Sequence, residues 1–200
     1  MKKLILATAS ALTLAACQVS PTYPVAPPPS GVQQPAPPVN PPAPPPAGNA
    51  GPLTQAGVGK YMDGLEADLR LRLRGQGVVV IRRGNDMLLV MPDAGLFTGE
   101  TVSGPGTALL GTVALSLRYY DHTLMQIDGY TDTVGSDVQN LTVSQQRADA
   151  VMHALIQDGI AAARLEAHGF GATDLRIATG PDTAEPRNRR IEVHILPRPQ

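Results

Sequence analysis

Between Ile127 and Asn140 the chain reads "IDGYTDTVGSDVQN", three carboxylates and two glycines with a hydroxyl beside the middle acid. Spacing decides what such acids can do. Asp128, Asp132 and Asp137 do not follow the one-three-five pattern of a calcium loop, and no glutamate falls at its twelfth position. The four histidines, His122, His153, His168 and His194, are spread over separate segments without metal-ligand spacing. No "G-x-S-x-G", "H-E-x-x-H", "G-x-x-x-x-G-K" or Cys–His arrangement occurs. Asp149 and His153 are four residues apart on one helical stretch, which suits surface electrostatics, since no nucleophile accompanies them. These residues argue against an enzyme and call for no cofactor and no metal.

Downstream, Asn140, Ser144, Arg147, Val151 and Leu155 recur at intervals of three and four, one stripe of a helix. Its second half is apolar and suits packing on a sheet. Its first half carries an amide, a hydroxyl and a guanidinium in the same direction, and polar groups that continue a buried stripe need partners. The strand over residues 124–129 ends beside the start of that helix, so the loop carrying Asp132 lies close by. An acceptor carboxylate and a fixed cation at the mouth of a sheet suit a zwitterion. Asp132 accepts from an ammonium, Arg147 grips a carboxylate, and the positive helix end favours the same anion. Pairing of Asp132 with Arg147, pinning loop to helix, satisfies the same residues. Gly129 and Gly135 would let the chain turn tightly and approach a ligand.

The elements that must position these groups are legible around them. Val58, Met62, Leu65, Leu69 and Leu73 predict an amphipathic helix that stops at Gly75. "VVVIRR" and "MLLVM" flank Gly84-Asn85-Asp86 as a hairpin, and residues 92–105 read as a glycine-rich loop. A helix entered at Pro105 follows. "LMQIDGY" is a strand, Ser136 caps a helix running to Asp158, and "RLEAHGF" and "RRIEVHIL" complete the strands. Strands alternating with helices of this length give an α+β or α/β layer, helices packed on a mixed sheet.

The chain is nearly neutral, with a formal charge of −1, and offers no basic face for nucleic acid. Its first residues differ from the rest. Lys2 and Lys3 precede an apolar run to Ala16, a secretory signal too short for a permanent span. That run ends "LAAC", which resembles the lipobox of bacterial lipoproteins, where cleavage leaves a lipidated cysteine, here Cys17. Gln18 stands where aspartate would resemble an inner-membrane retention signal, so the resemblance implies an outer-membrane lipid anchor. Thirteen of the 20 prolines fall in residues 18–50, which therefore cannot pack a core. As polyproline II at about 3.1 Å per residue this segment would reach on the order of 100 Å. The expected organisation is a signal (1–16), a lipidated cysteine and tether (17–50), a leading helix (51–77) and one domain (78–197).

"DGYTDTVGSDVQNLTVSQQRADAVMHALIQDGIAAARLEAHGFG" with the later "NRRIEVHI" resembles the peptidoglycan-binding OmpA-like domain. The family pattern "G-[HY]-T-D-x-x-G-x-x-x-x-N-x-x-L-S-x-x-R-A-x-x-V" is met by Gly129, Tyr130, Thr131, Asp132, Gly135, Asn140, Ser144, Arg147, Ala148 and Val151, with Val143 in place of leucine. The resemblance covers about residues 78–196. It implies an α+β, βαβαβ-type domain, here with an extra N-terminal helix, that binds the peptide stem of peptidoglycan without cleaving it. By the same resemblance Asp132 and Arg147 hold the amino and carboxylate groups of diaminopimelate, with Thr131 and Asn140 beside them. Asn188 and Arg190 come near the same pocket, Arg189 exchanging roles with Arg190 if the register shifts. Leu96 and Phe97 line its rim. Pro186 and Leu175 depart from the family pattern. The implied protein is an outer-membrane lipoprotein whose periplasmic domain tethers membrane to wall. The alternative is an adaptor or envelope-stress sensor that docks a protein partner.

Overall fold

The structure is a computed structural model that describes residues 53–198; the signal, Cys17 and the proline-rich segment lie outside the described residues. Val58, Met62, Leu65 and Leu69 all turn inward from α1 (Val58–Arg72), and Leu73 follows them into the core. Gly75, at φ +76, then takes the left-handed conformation that ends a helix without a Cβ penalty. β1 (Val79–Arg83) and β2 (Asp86–Pro92) pair from Val79↔Val90 to Arg83↔Asp86, which leaves Gly84 and Asn85 as a two-residue turn. The stretch expected as plain loop holds two short strands, β3 (Phe97–Thr98) and β4 (Thr101–Val102), turning at Gly99 with φ +66. Ser103 caps α2 (Gly104–Tyr119), its hydroxyl accepting from the Gly106 N–H at 2.9 Å.

β5 (Thr123–Tyr130), α3 (Asp137–Gln157) and β6 (Leu165–Gly171) form a parallel β–α–β unit. β7 (Arg190–Pro197) inserts antiparallel between β2 and β5, giving the mixed order β1-β2-β7-β5-β6. The α+β class with an N-terminal helix is therefore what this sequence builds. Alternation along the strands sends Met87, Leu89, Met91, Met125, Ile127, Ile191, Val193 and Ile195 into the core shared with the helices.

α3 lies unusually close to the sheet. A Cβ on Gly129 would overlap the Ser144 backbone oxygen, and one on Gly169 would overlap the Gln145 backbone nitrogen. Gly129 is thus required by the helix crossing above it, and its φ is not positive. That corrects its expected role in approaching a ligand; Gly135, at φ +84, does take the turn conformation. The close approach lets α3 satisfy the edge strand. Gln145 accepts from the Gly169 N–H at 2.7 Å and donates to the Ala167 carbonyl at 3.2 Å, while Ser144 accepts from the Gly171 N–H at 2.8 Å. Three backbone groups of this edge strand are thereby partnered by side chains of α3.

Arg164 ties the other end together. Its guanidinium donates to the Leu117 and Tyr120 carbonyls near the end of α2 and to the Thr123 carbonyl and hydroxyl. Arg164→Ala would orphan these carbonyls and remove a cation from the helix C-terminus, and is expected to lower stability by about 2–3 kcal/mol in urea unfolding.

On the sheet face away from the core, burial raises the Asp128 carboxyl above its ordinary value, with the Gln126 amide and His194 pulling the other way. A raised folded value means ionisation works against the fold. That unfavourable contribution is absent below the ordinary carboxylate range and grows as pH rises through it. Asp128→Asn is therefore expected to melt at or above the wild-type temperature near about pH 7, with the difference shrinking toward about pH 3. An Asp128→Asn protein clearly less stable than wild type at neutral pH would contradict this.

Candidate functional site

Asp132 sits just beyond β5 and is nearly buried. Its backbone is set by Thr131, whose N–H donates to the Gly171 carbonyl at 2.9 Å. One carboxylate oxygen accepts from the Val134 N–H at 3.3 Å, an Asx-type turn. The other accepts from the Glu185 N–H at 3.2 Å and from the Arg189 guanidinium at 2.6 Å. Thr133 stitches the same loop to the segment opposite, its hydroxyl donating to the Gly180 carbonyl at 2.7 Å and its carbonyl accepting from the Asp182 N–H at 3.0 Å. Within that segment, the Arg187 side-chain hydrogen bonds, joined by its backbone N–H, hold the Glu185 carboxyl down at about 2. Glu185 is therefore committed to Arg187.

α3 begins with a full capping box between Ser136 and Gln139. Asn140 and Ser144 follow on its buried stripe, and Ser144 is fully occupied in joining Leu141 to Gly171. Arg147 lies 3.4 Å from the Asp93 carboxylate, donates to the Gly99 carbonyl at 3.3 Å and stands over the Phe97 ring at 5.5 Å. It does not pair with Asp132. Ten residues separate it from Asp137, about 15 Å along the axis. The helix dipole fades within the first turn, so it gives no support to an anion at Arg147, contrary to the sequence expectation.

Three further residues lie elsewhere than the resemblance implies. Successive side chains of a strand point to opposite faces, and the cation that meets Asp132 is Arg189. Arg190 instead stacks 3.8 Å over the Tyr130 ring and pairs with Glu192 at 2.6 Å and Asp174 at 3.2 Å, only 2% exposed. Asn188 has no amide to offer a guest: it accepts from the Ile177 N–H at 2.8 Å and donates to the Ile177 carbonyl at 2.9 Å, latching the long loop. Leu96 is core rather than rim, while Phe97 is at the site beneath Arg147.

Asp93, which sequence reading passed over, links the two sides. It directly follows β2, its N–H donates to the Arg189 carbonyl at 3.1 Å, and its carboxylate lies 3.4 Å from both Arg147 and Arg189. "PDAG" reads as a turn, and aspartate in a turn needs no further reason; that is why it gave no signal. The result is an alternating row, Arg147–Asp93–Arg189–Asp132. Both Asp93 contacts are longer than the roughly 2.7–2.9 Å of a good charge-assisted bond. Among the described residues five buried side-chain polar atoms lack a hydrogen-bond partner, and four belong here: Asp93 Oδ1, Thr131 Oγ1, Asn140 Nδ2 and Arg147 Nε. Buried groups of this kind in native proteins are partnered by water or by a bound ligand.

A separate open groove of about 370 Å³ lies where α3 begins, lined by Val138, Leu141, Phe170, Ala172 and their neighbours. It shares no residue with the charged row. Among the described residues no group of three or more His, Cys, Asp or Glu side chains could hold a metal ion.

The sequence model of the OmpA family matches residues 100–189. That stretch is an OmpA-family domain. The domain of this family is non-catalytic. Among relatives, the chain is 38% identical over 143 residues to "Probable lipoprotein YiaD" of Escherichia coli (strain K12), covering 70% of this chain and 65% of that one. It is 31% identical over 87 residues to the "Peptidoglycan-binding protein ArfA" of Mycobacterium bovis, covering 44% of this chain and 27% of the relative. The match thus spans less than two thirds of either relative's length. In fold it resembles a MotB-like protein of Desulfovibrio vulgaris, with a TM-score of 0.61 at 22% identity over 72% of this chain and 96% of that one. Asp93 precedes the stretch matched to the OmpA family.

Proposed function

We propose that this OmpA-family domain binds the peptide stem of peptidoglycan without cleaving it. Asp132 receives the free ammonium of diaminopimelate and Arg147 its carboxylate. Thr131, Asn140 and Phe97 complete the site. The observation that carries this reading is that Asp132 and Arg147 do not satisfy each other. Arg147 makes only long contacts and is available to a guest carboxylate. Asp132 is held by Arg189, which a guest ammonium would displace, and buried polar atoms of Thr131, Asn140 and Arg147 lack hydrogen-bond partners. The name of ArfA states peptidoglycan binding and that of YiaD states a lipoprotein, which agree with the reading in kind. A lipid on Cys17 and the tether of residues 18–50 would hold the domain in the periplasm, between outer membrane and wall. Many copies along a wall supply avidity that one site lacks.

Calorimetric titration of the full chain with N-capped alanyl-γ-glutamyl-diaminopimelate tests the site. One saturable event is expected, lost when the side-chain carboxylate is amidated. Equal binding of the amidated peptide would overturn the role given to Arg147.

A second reading, a domain that docks a protein, draws on the groove at the start of α3, where Val138 is 75% and Leu141 52% exposed. A stoichiometric protein partner retained after peptidoglycan digestion would favour it.

A further inference from the structure

In the free domain each charge of the row already has an internal partner. Arg189 holds Asp132 at 2.6 Å and reaches Asp93 at 3.4 Å, while Asp93 reaches Arg147 at the same 3.4 Å. The strong contact is the one that a guest ammonium must break. The two weak contacts are the ones that can tighten or release at little cost, and Asp93 Oδ1 and Arg147 Nε each lack a hydrogen bond. Asp93 also has a fixed station, because its N–H is tied to the Arg189 carbonyl at 3.1 Å. It can therefore receive the Arg189 guanidinium without the backbone moving.

We propose that Asp93 and Arg189 form an internal stand-in for the ligand and make the site selective for guests carrying both charges. This rests on the zwitterion reading above. On binding, the guest ammonium takes Asp132, Arg189 swings from Asp132 to Asp93, and Asp93 gives up Arg147 to the guest carboxylate. Counting charges shows why both are needed. With a zwitterion, three carboxylates (Asp93, Asp132 and the guest's) face three cations (Arg147, Arg189 and the guest's). A guest whose amine is acetylated leaves three carboxylates facing two guanidinia in a partly buried setting. A charge left without a partner there is strongly disfavoured. Asp93 is thus a specificity determinant that acts through Arg189 and Arg147.

Removing the Asp93 charge reverses the count. With Asp93→Asn, the acetylated guest balances two carboxylates against two guanidinia, whereas the zwitterion displaces Arg189 with no second acid to receive it. The test is calorimetric titration of the purified full chain, wild type and Asp93→Asn. The probes are N-capped alanyl-γ-glutamyl-diaminopimelate with its side-chain amine free and the same peptide acetylated there. Wild type is expected to prefer the free amine by about tenfold or more. Asp93→Asn should show no preference or the opposite one. An Asp93→Asn protein that keeps the wild-type preference overturns the exchange and leaves the site reading intact. Wild type that binds neither peptide overturns both. A second measurement needs no variant: the Arg189 Nε–H resonance of wild type should shift on titration with the free-amine peptide and stay in place with the acetylated one. An Arg189 resonance indifferent to the free-amine peptide would also overturn the exchange.

Discussion

Gly129→Ala is expected to be more damaging to the fold than its one methyl group suggests, at about 3 kcal/mol or more, because overpacking here meets backbone. The added Cβ would fall on the Ser144 carbonyl oxygen, which belongs to a helix hydrogen-bonded along its length and cannot step aside like a side-chain tip. α3 would have to lift from β5. That would loosen the grip of Ser144 and Gln145 on β6 at Gly169 and Gly171. The expected result is a large fall in the urea midpoint with little change in slope. Gly135→Ala is the informative contrast. There the conformation is left-handed but the nearest atom is the Gln139 side chain at 3.2 Å, so a strain of only about 1 kcal/mol is expected. Equal effects at the two positions would mean that helix proximity is not what selects glycine at 129.

Arg147→Ala and Asp132→Ala are expected to fail in different ways. Arg147 makes only long contacts in the free domain, at 3.3 and 3.4 Å, and its Nε makes none. Truncating it should leave the melting temperature almost unchanged and weaken binding of the diaminopimelate peptide by about ten- to a hundredfold, the worth of a charge-assisted hydrogen bond. Arg147→Lys is expected to recover little of this, since a point charge cannot reproduce a planar fork. Asp132 is different. Besides receiving the guest it accepts from the Val134 and Glu185 N–H groups and from Arg189. Asp132→Ala should therefore lose binding and also about 1–3 kcal/mol of stability through donors left unsatisfied. A stable Asp132→Ala variant that still bound the peptide would contradict both halves of this assignment.

How far the sequence discloses such a site depends on whether the relevant rule is local. The 3.6-residue period on α1 and α3, the Ser136 N-cap, the Gly84 turn and the alternation of β7 are short-range rules, and each element appears where they put it. The Asp132 loop reaches the α3 stripe through intermediaries, Gly171 toward Ser144 and Arg189 with Asp93 toward Arg147. What was hidden depends on which distant segments meet. Asp93 looked like an ordinary turn aspartate until β2 was paired with β7, bringing it beside Arg189. The choice between Arg189 and Arg190 needed the strand register, because a shift of one residue changes the face. Leu96 could not be told from a rim residue before α2 and the core were in place around it. β3 and β4, of two residues each, are too short for any period to declare itself.

The most direct measurement is sedimentation of the purified full chain with sacculi, wild type beside Asp132→Ala and Arg147→Ala, with thermal melts of each on the same samples. Wild type should pellet with the wall. Both variants should stay in the supernatant, Arg147→Ala at an unchanged melting temperature. If a folded Arg147→Ala chain pellets as wild type does, the wall is not held by this pair of charges.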